Sequence, residues 1–146
     1  MDRLFLDANV LFSAAYRPGA GLLALWKLKN VRLCTSRYAL EQARLNLSDE
    51  VQRARLQKLA ARLELFDAPN EELPSAIALP EKDAPIVFAT IRLAAIQAQA
   101  THLVTGDVHH FGAYLSKKIA GILIVLPGDY LRNRVEGRRW NIPRAG

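Results

Sequence analysis

The chain has 146 residues, of which 51 % are hydrophobic, and a formal net charge of +6 from 20 Lys and Arg against 14 Asp and Glu. This length fits one domain with one core, and so high an apolar fraction excludes a disordered chain. The positive charge is typical of proteins that bind nucleic acid, although an anionic membrane would attract it as well. Cys34 is the only cysteine, which excludes an internal disulfide and a thiolate zinc site.

The N-terminus and the length of the apolar runs predict where the protein resides. Asp7 interrupts the apolar run Leu4–Leu6 too early for a signal peptide. No stretch approaches the roughly 20 apolar residues that a membrane span needs. We therefore expect a cytoplasmic protein without a membrane partner.

Short apolar runs alternate with helical patterns along the chain. Strands are predicted at Arg3–Leu6, Val31–Cys34, Glu64–Phe66, His102–Thr105 and Ile122–Val125. Helices are predicted at Gly21–Lys29, Ser36–Leu47, Asp49–Arg62 and Asp83–Gln99, with two short ones near Tyr114–Lys117 and Asp129–Asn133. Ser36 is expected to cap its helix, and the helix Asp49–Arg62 is expected to turn Val51, Leu56, Leu59, Ala60 and, beyond it, Leu63 toward the core. The segment 67–82, which contains three prolines, is predicted to be a loop.

The order of these elements predicts the fold class. Apolar strands without polar alternation, separated by helices, indicate a parallel sheet that is covered on both faces. We expect a three-layer α/β/α domain over residues 1–131, with a central, mostly parallel sheet of about four or five strands. The remaining residues, 132–146, form a basic, arginine-rich tail. In such sheets a ligand binds beyond the carboxyl ends of the strands, where the strand order reverses.

Four of the acidic residues stand where a site is expected. Asp7 follows the first strand and Asp107 follows the strand His102–Thr105, so both lie at the carboxyl edge of the sheet. Glu41 lies within a helix between Tyr38 and Leu45, and this partly apolar setting predicts that it faces inward. Asp83 opens a helix, where negative charge is favoured.

Four crowded carboxylates would repel one another and raise one another's pKa values. A divalent cation between them relieves that repulsion, and a site made of oxygen ligands alone suits Mg²⁺ or Mn²⁺. Such ions activate water and stabilise the leaving oxygen in phosphodiester hydrolysis. Each acid also has a purely structural interpretation: Asp7 and Asp107 as turn residues, Glu41 as a solvated helical acid, and Asp83 as a helix cap.

Three segments in this order, Leu4–Leu11, Asp83–Ala89 and Leu103–Phe111, resemble the PIN-domain nucleases, a family that includes the VapC-type toxins of bacterial toxin–antitoxin pairs. The resemblance extends from Leu4 to about Leu131 and implies an α/β/α fold and Mg²⁺- or Mn²⁺-dependent endoribonuclease activity on single-stranded or structured RNA. It further implies an antitoxin protein partner and allows a homodimer. By this resemblance Asp7, Glu41, Asp83 and Asp107 are the catalytic and metal-binding acids, and Asn9 and Thr105 are the polar residues that support them.

Other residues invite a functional interpretation. His109 and His110 suggest a metal site, but adjacent histidines point in different directions and no third nitrogen ligand is evident, so we do not expect zinc. Trp140, between Arg138, Arg139 and Arg144, would stack on an RNA base. The alternative for this tail is a solvated segment without a function.

Two alternative functions remain open from the sequence. The first is a non-catalytic RNA-binding or protein-interaction module that retains the same fold. The second is a phosphoacceptor or phosphatase domain. The second fits poorly, because Asn9 stands where a dehalogenase-type site needs an aspartate, and Pro127-Gly128 follow the last strand where a receiver domain needs a lysine.

Overall fold

In the computed structural model, the described residues are 1–66, 95–96, 98–107, 112–119 and 121–136. They form six strands, which are β1 (Asp2–Leu6), β2 (Val31–Ser36), β3 (Glu64–Phe66), β4 (His102–Val104), β5 (Lys118–Ile119) and β6 (Ile122–Val125). Four α-helices are described along their length, which are α1 (Ala8–Tyr16), α2 (Arg37–Asn46), α3 (Glu50–Ala60) and α4 (Pro127–Glu136), together with two 3-10 helices, Gly21–Lys27 and Gly112–Tyr114.

The strands form one sheet in the order β3-β2-β1-β4-β6-β5. The pairs β3-β2, β2-β1, β1-β4 and β4-β6 are parallel, and β5 pairs antiparallel with β6 at the edge. After β1 the chain adds β2 and β3 on one side, and it then returns to place β4 on the other side of β1. The strand order therefore reverses between β1 and β4, which confirms the predicted α/β fold and fixes the switch point.

Both faces of the sheet bury apolar side chains, because successive residues of a strand point to opposite faces. Leu4 and Leu6 of β1 pack in a cluster with buried residues of α1, of α3 and of the 3-10 helix Gly21–Lys27. Phe5, which lies between them, packs on the opposite face with Cys34, Ala95, Ala98 and Leu103. Two apolar layers on either side of one sheet give the expected three-layer arrangement.

Helix α1 was not predicted, and it is the principal correction to the expected elements. Its buried residues Val10, Leu11, Ala14 and Ala15 recur one helical turn apart, so the helical period is present in the sequence. The Asp7 side chain caps the helix by accepting a hydrogen bond from the Ala8 amide. The acid that predicted a site therefore also begins a helix.

Three smaller expectations also change. The segment Gly21–Lys27 is a 3-10 helix, and the helix predicted near Tyr114–Lys117 is replaced by the 3-10 turn Gly112–Tyr114 and the short strand β5. Val51 was expected in the core, but it is 61 % exposed in the first turn of α3, whereas Leu56 on the same helix is buried. The predicted loop 67–82 and most of the predicted helix Asp83–Gln99 lie outside the described residues.

Within the described part of the chain, no helix has both the length and the apolar character needed to cross a bilayer.

The cap of α2 provides a stability prediction. The buried Ser36 Oγ accepts a hydrogen bond from the Ala39 amide at 3.0 Å, as the sequence predicted. We expect Ser36→Ala to lower the free energy of unfolding by about 0.5–2 kcal/mol, because the amide loses its partner. Urea denaturation followed by circular dichroism measures the change. The control is Ser48→Ala, which removes an exposed hydroxyl. An equal effect of the two variants would show that Ser36 is not a stabilising cap.

Candidate active site

The switch point brings together the ends of β1 and β4. Leu6 and Val104 are partners in the parallel register, so the next residues, Asp7 and Thr105, come to the same place at the carboxyl edge of the sheet. The Asp7 amide continues the pairing by donating to the Val104 carbonyl at 3.0 Å. Asp7 is only 3 % exposed and Thr105 is fully buried. The predicted meeting of the two strand ends is thus observed.

Three donors hold the Asp7 carboxylate in place. Its Oδ1 accepts from the Ala8 amide at 2.7 Å, and its Oδ2 accepts from Thr105 Oγ1 at 2.8 Å and from Asn9 Nδ2 at 3.0 Å. A carboxylate has about four acceptor positions. These three hydrogen bonds fix the orientation of the carboxylate and leave about one acceptor position for another ligand.

Asn9 links the two strand ends. Its Nδ2 donates to Asp7 and, at 3.4 Å, to Thr105 Oγ1, while its Oδ1 accepts from the Gly106 amide at 2.7 Å. Thr105 Oγ1 in turn accepts from the Asp107 amide at 3.1 Å. Asn9 and Thr105 therefore connect the residues on which Asp7 and Asp107 are carried.

Gly106 is a residue whose role the sequence did not reveal. A Cβ at this position would stand 3.3 Å from Asn9 Oδ1, which is closer than most such contacts. The backbone here approaches Asn9 closely, and glycine permits that approach. The sequence did contain one indication of this role, which is that Gly106 stands between the two predicted site residues Thr105 and Asp107.

The electrostatics of Asp7 reflect its burial and its charged neighbour. Burial raises the pKa of the Asp7 carboxyl above its ordinary value, and the negative charge of Asp107 raises it further. The hydrogen bonds from Thr105, Ala8 and Asn9 act in the opposite direction without cancelling the effect of burial. The ionised form of Asp7 is therefore disfavoured by its surroundings, and a bound cation would stabilise that form.

The donor set fits a hard divalent cation. Mg²⁺ is usually bound by one or two carboxylates, with water and substrate phosphate as the other ligands. Asp7 and Asp107 provide two carboxylates within electrostatic reach of each other. Among the described residues, no group of three or more His, Cys, Asp or Glu side chains forms a metal site.

Glu41 differs from its expected orientation. It lies on α2 with its side chain 52 % exposed, so the prediction that it faces inward is wrong. Both of its carboxylate oxygens accept from Arg44, at 3.0 Å from Nε and 2.7 Å from Nη2. These hydrogen bonds hold the pKa of the Glu41 carboxyl below its ordinary value. The ion pair with Arg44 stabilises the charge of Glu41 on the exposed side of a partly apolar helix, so Glu41 does not need to face inward.

The other predicted site residues lie outside the described residues. They are Asp83, the pair His109 and His110, and the tail residues Arg138, Arg139 and Trp140. Of the predicted acids, the structure thus brings together Asp7 and Asp107, with Asn9 and Thr105 between them.

A parallel sheet with paired acids at its switch point defines an α/β domain with a candidate cation site. The PIN domain matches residues 3–109, which is most of the chain, so the protein belongs to the PIN-domain family, whose members are generally nucleases. The match includes Asp7, Glu41, Asp83 and Asp107. It confirms the resemblance that the sequence motifs indicated.

Two solved structures have a similar fold. VapBC2 from Rickettsia felis, bound to a DNA fragment of the promoter, aligns with a TM-score of 0.58 and 20 % identity over 84 % of this chain and 96 % of that chain. VapBC-1 from nontypeable Haemophilus influenzae aligns with a TM-score of 0.52 and 18 % identity over 86 % and 98 %. At these identities the likeness establishes the fold. A search of curated proteins found no matching sequence.

The raised pKa of Asp7 predicts how stability depends on pH in metal-free protein. A carboxyl whose folded pKa is raised stabilises the fold at low pH, and this contribution is lost as the pH rises through the folded pKa. Asp107→Asn removes one cause of the shift, so the variant should lose less stability than the wild type as the pH rises above about 4, the ordinary pKa of an aspartate. Urea denaturation in EDTA at several pH values measures the difference.

The control for this prediction is Asp49→Asn, which makes the same charge change at an exposed residue before α3. Its stability should follow the wild-type pH dependence. If Asp107→Asn and Asp49→Asn gave the same curve, the charge of Asp107 would not act on Asp7.

Proposed function

We propose that this protein is a Mg²⁺- or Mn²⁺-dependent endoribonuclease that hydrolyses phosphodiester bonds in RNA. The observation that carries the proposal is the buried Asp7 carboxylate, held by three donors beside the charge of Asp107. The acids Glu41 and Asp83 complete the proposed catalytic and metal-binding set. Membership of the PIN-domain family supports the same chemistry.

The physical argument concerns the energetic cost of the site. Burying a carboxylate beside another carboxylate destabilises the fold unless a ligand with opposite charge compensates. A side-chain amide, a hydroxyl and a backbone amide donate hydrogen bonds to Asp7 and orient it. None of these groups brings a full positive charge. A bound cation would compensate for this charge, and it would supply the chemistry of water activation and leaving-oxygen stabilisation.

The chain's own residues would divide the work. Asp7 and Asp107 would hold the cation, while Asn9 and Thr105 would keep the Asp7 carboxylate oriented. Glu41 is exposed and therefore accessible to solvent and substrate, although in this structure it is paired with Arg44. Arg44, the partner of Glu41, would contact an RNA phosphate, and Glu41 would help to hold the cation.

A non-catalytic binding module is the alternative function. It would need a reason to retain a buried acid, Asp7, beside the negative charge of Asp107, when the three groups that donate to Asp7 bring no full positive charge. Catalysis supplies that reason, and we therefore favour the nuclease.

Cleavage of RNA by the purified protein tests the proposal. Mn²⁺ or Mg²⁺ should be required, and EDTA should abolish cleavage. Asp7→Asn should lower the cleavage rate at least about 100-fold, because it replaces a charged oxygen ligand by a neutral amide. Gel analysis of labelled RNAs of diverse sequence measures the rate, and circular dichroism checks that the variant is folded.

Asp49→Asn serves as the matched control, because it neutralises an exposed acid outside the proposed set. It should cleave at the wild-type rate. Glu41→Gln in the same assay should be impaired while remaining folded, since its side chain is exposed. A folded wild type that cut none of the RNAs with either metal would contradict the proposed function.

We also propose that a second protein, an antitoxin, binds this chain and restrains it. Support comes from the fold, since the similar structures are those of VapBC2 and VapBC-1, and the chain spans nearly the full length of the matched subunits. The sequence resemblance to VapC-type toxins points to the same kind of partner.

Co-expression with the products of the adjacent genes tests this second proposal. We expect the two proteins to co-elute in size-exclusion chromatography and the complex to cleave RNA at least about 10-fold more slowly than the free chain. Light scattering on the same samples gives the stoichiometry and shows whether the free chain is a homodimer. Separate elution together with undiminished cleavage would oppose the proposal.

A further inference from the structure

The exposed face of α1 connects the candidate active site to a second feature. Asn9, Phe12, Ser13 and Tyr16 follow one another at intervals of three and four residues, so they lie on one face of the helix. None of the four is fully buried, whereas Val10, Leu11, Ala14 and Ala15 on the other face are. This face begins at Asn9, which contacts Asp7, and it reaches Tyr16 about 10 Å further along the helix axis.

A small open cavity lies at the far end of this face. It has a volume of about 260 Å³, and the residues that line it are Phe12, Ser13, Tyr16, Arg17, Ala20, Gly21 and Leu22. The volume lies below the range of pockets for drug-sized ligands, and it is appropriate for a group of the size of one nucleobase.

The aromatic side chains in the cavity are packed against each other but remain accessible. The ring centroids of Phe12 and Tyr16 are 5.4 Å apart with an interplanar angle of 38°. Tyr16 is nevertheless 53 % exposed. Phe12 thus supports the Tyr16 ring from one side, and much of the tyrosine surface is free to stack on another flat group.

Positive charge accompanies the rings. Arg17 is exposed, and among the described residues that line the cavity it is the one with a charged side chain. Arg55 of α3 donates to the Ala15 carbonyl at 2.7 Å, so a second guanidinium lies at the same end of α1. Aromatic rings that stack on bases, next to cations that contact phosphates, are the combination that binds single-stranded nucleic acid.

We propose that this cavity is a base-binding subsite for single-stranded RNA. An unpaired base stacks on the Tyr16 ring, Arg17 contacts the adjoining phosphate, and the strand continues along the exposed face of α1 to the candidate metal site. The proposal rests on the proposed function, because it assigns a subsite to the substrate of that same reaction. A protein partner is disfavoured by the small volume of the cavity.

Binding of fluorescein-labelled single-stranded RNA to metal-free protein tests the subsite without cleavage. Fluorescence anisotropy in EDTA should show that Tyr16→Ala weakens binding about 10-fold, because a stacked base is lost, and that Tyr16→Phe restores binding. The matched control is Leu45→Ala, which truncates another exposed apolar side chain, on α2. It should bind RNA as the wild type does.

The dependence of binding on salt tests Arg17 separately. Arg17→Gln should reduce the slope of log affinity against log salt concentration by about 0.7, the value for one phosphate contact on a single strand. Arg62→Gln removes an exposed arginine that lines a different cavity, and it should leave the slope unchanged.

Kinetics and crosslinking separate this inference from the proposed function. In the cleavage assay Tyr16→Ala should raise KM with little change in kcat, because Tyr16 is remote from the bond that is cut. A photoreactive uridine in the RNA should crosslink to the segment that contains Tyr16. If the wild type cleaved RNA while Tyr16→Ala bound and cleaved it equally well, the subsite would be refuted and the nuclease retained.

Two further outcomes would also overturn the subsite. A wild type that neither bound nor cleaved RNA would refute the nuclease and the subsite together. A Tyr16→Ala variant with unchanged RNA binding but an altered oligomeric state in sedimentation would assign this face to contact between protein chains.

Discussion

The site depends on one constraint: a carboxylate is buried at the switch point next to the negative charge of a second acid. Asp7 is held there by Ala8, Asn9 and Thr105, and its pKa is raised by burial and by Asp107. Hydrogen bonds orient the carboxylate but bring no full positive charge. Asp7 is therefore an oriented carboxylate whose charge these hydrogen bonds compensate only in part, and such a carboxylate is suited to binding a cation.

The topology of the sheet brings Asp7 and Asp107 together, and helix α1 begins at the same place. Because β4 returns to the other side of β1, residues separated by almost 100 positions in sequence become hydrogen-bond partners, as the Thr105–Asp7 bond shows. Asp7 is also the cap of α1, so the position of the acid and the start of the helix are set together. The same helix then presents Asn9 at one end and the ring of Tyr16 near the other.

Much of this could be predicted from sequence, because strand ends and strand order follow simple rules. The apolar runs located β1, β2, β3, β4 and β6 closely, and placing Asp7 and Asp107 after β1 and β4 predicted their approach. Helix α1 was missed because Asp7 was interpreted as a site residue or a turn residue and not as a helix cap. The orientation of Glu41 was predicted wrongly because a pairing with Arg44 satisfies the charge on an exposed helix face, and a sequence pattern does not distinguish the two arrangements. Gly106 and β5 depend on contacts and pairing that only the assembled fold specifies.

The central claim is that Asp7 and Asp107 together bind a divalent cation. Electron paramagnetic resonance of free Mn²⁺ measures this directly, because the signal of the aqueous ion falls as protein takes it up. The wild type should deplete free Mn²⁺ and Mg²⁺ should compete, whereas Asp107→Asn should lose most of the uptake and Asp49→Asn should retain it. An Asp107→Asn variant that bound Mn²⁺ as tightly as the wild type, or a folded wild type that bound none, would contradict the claim.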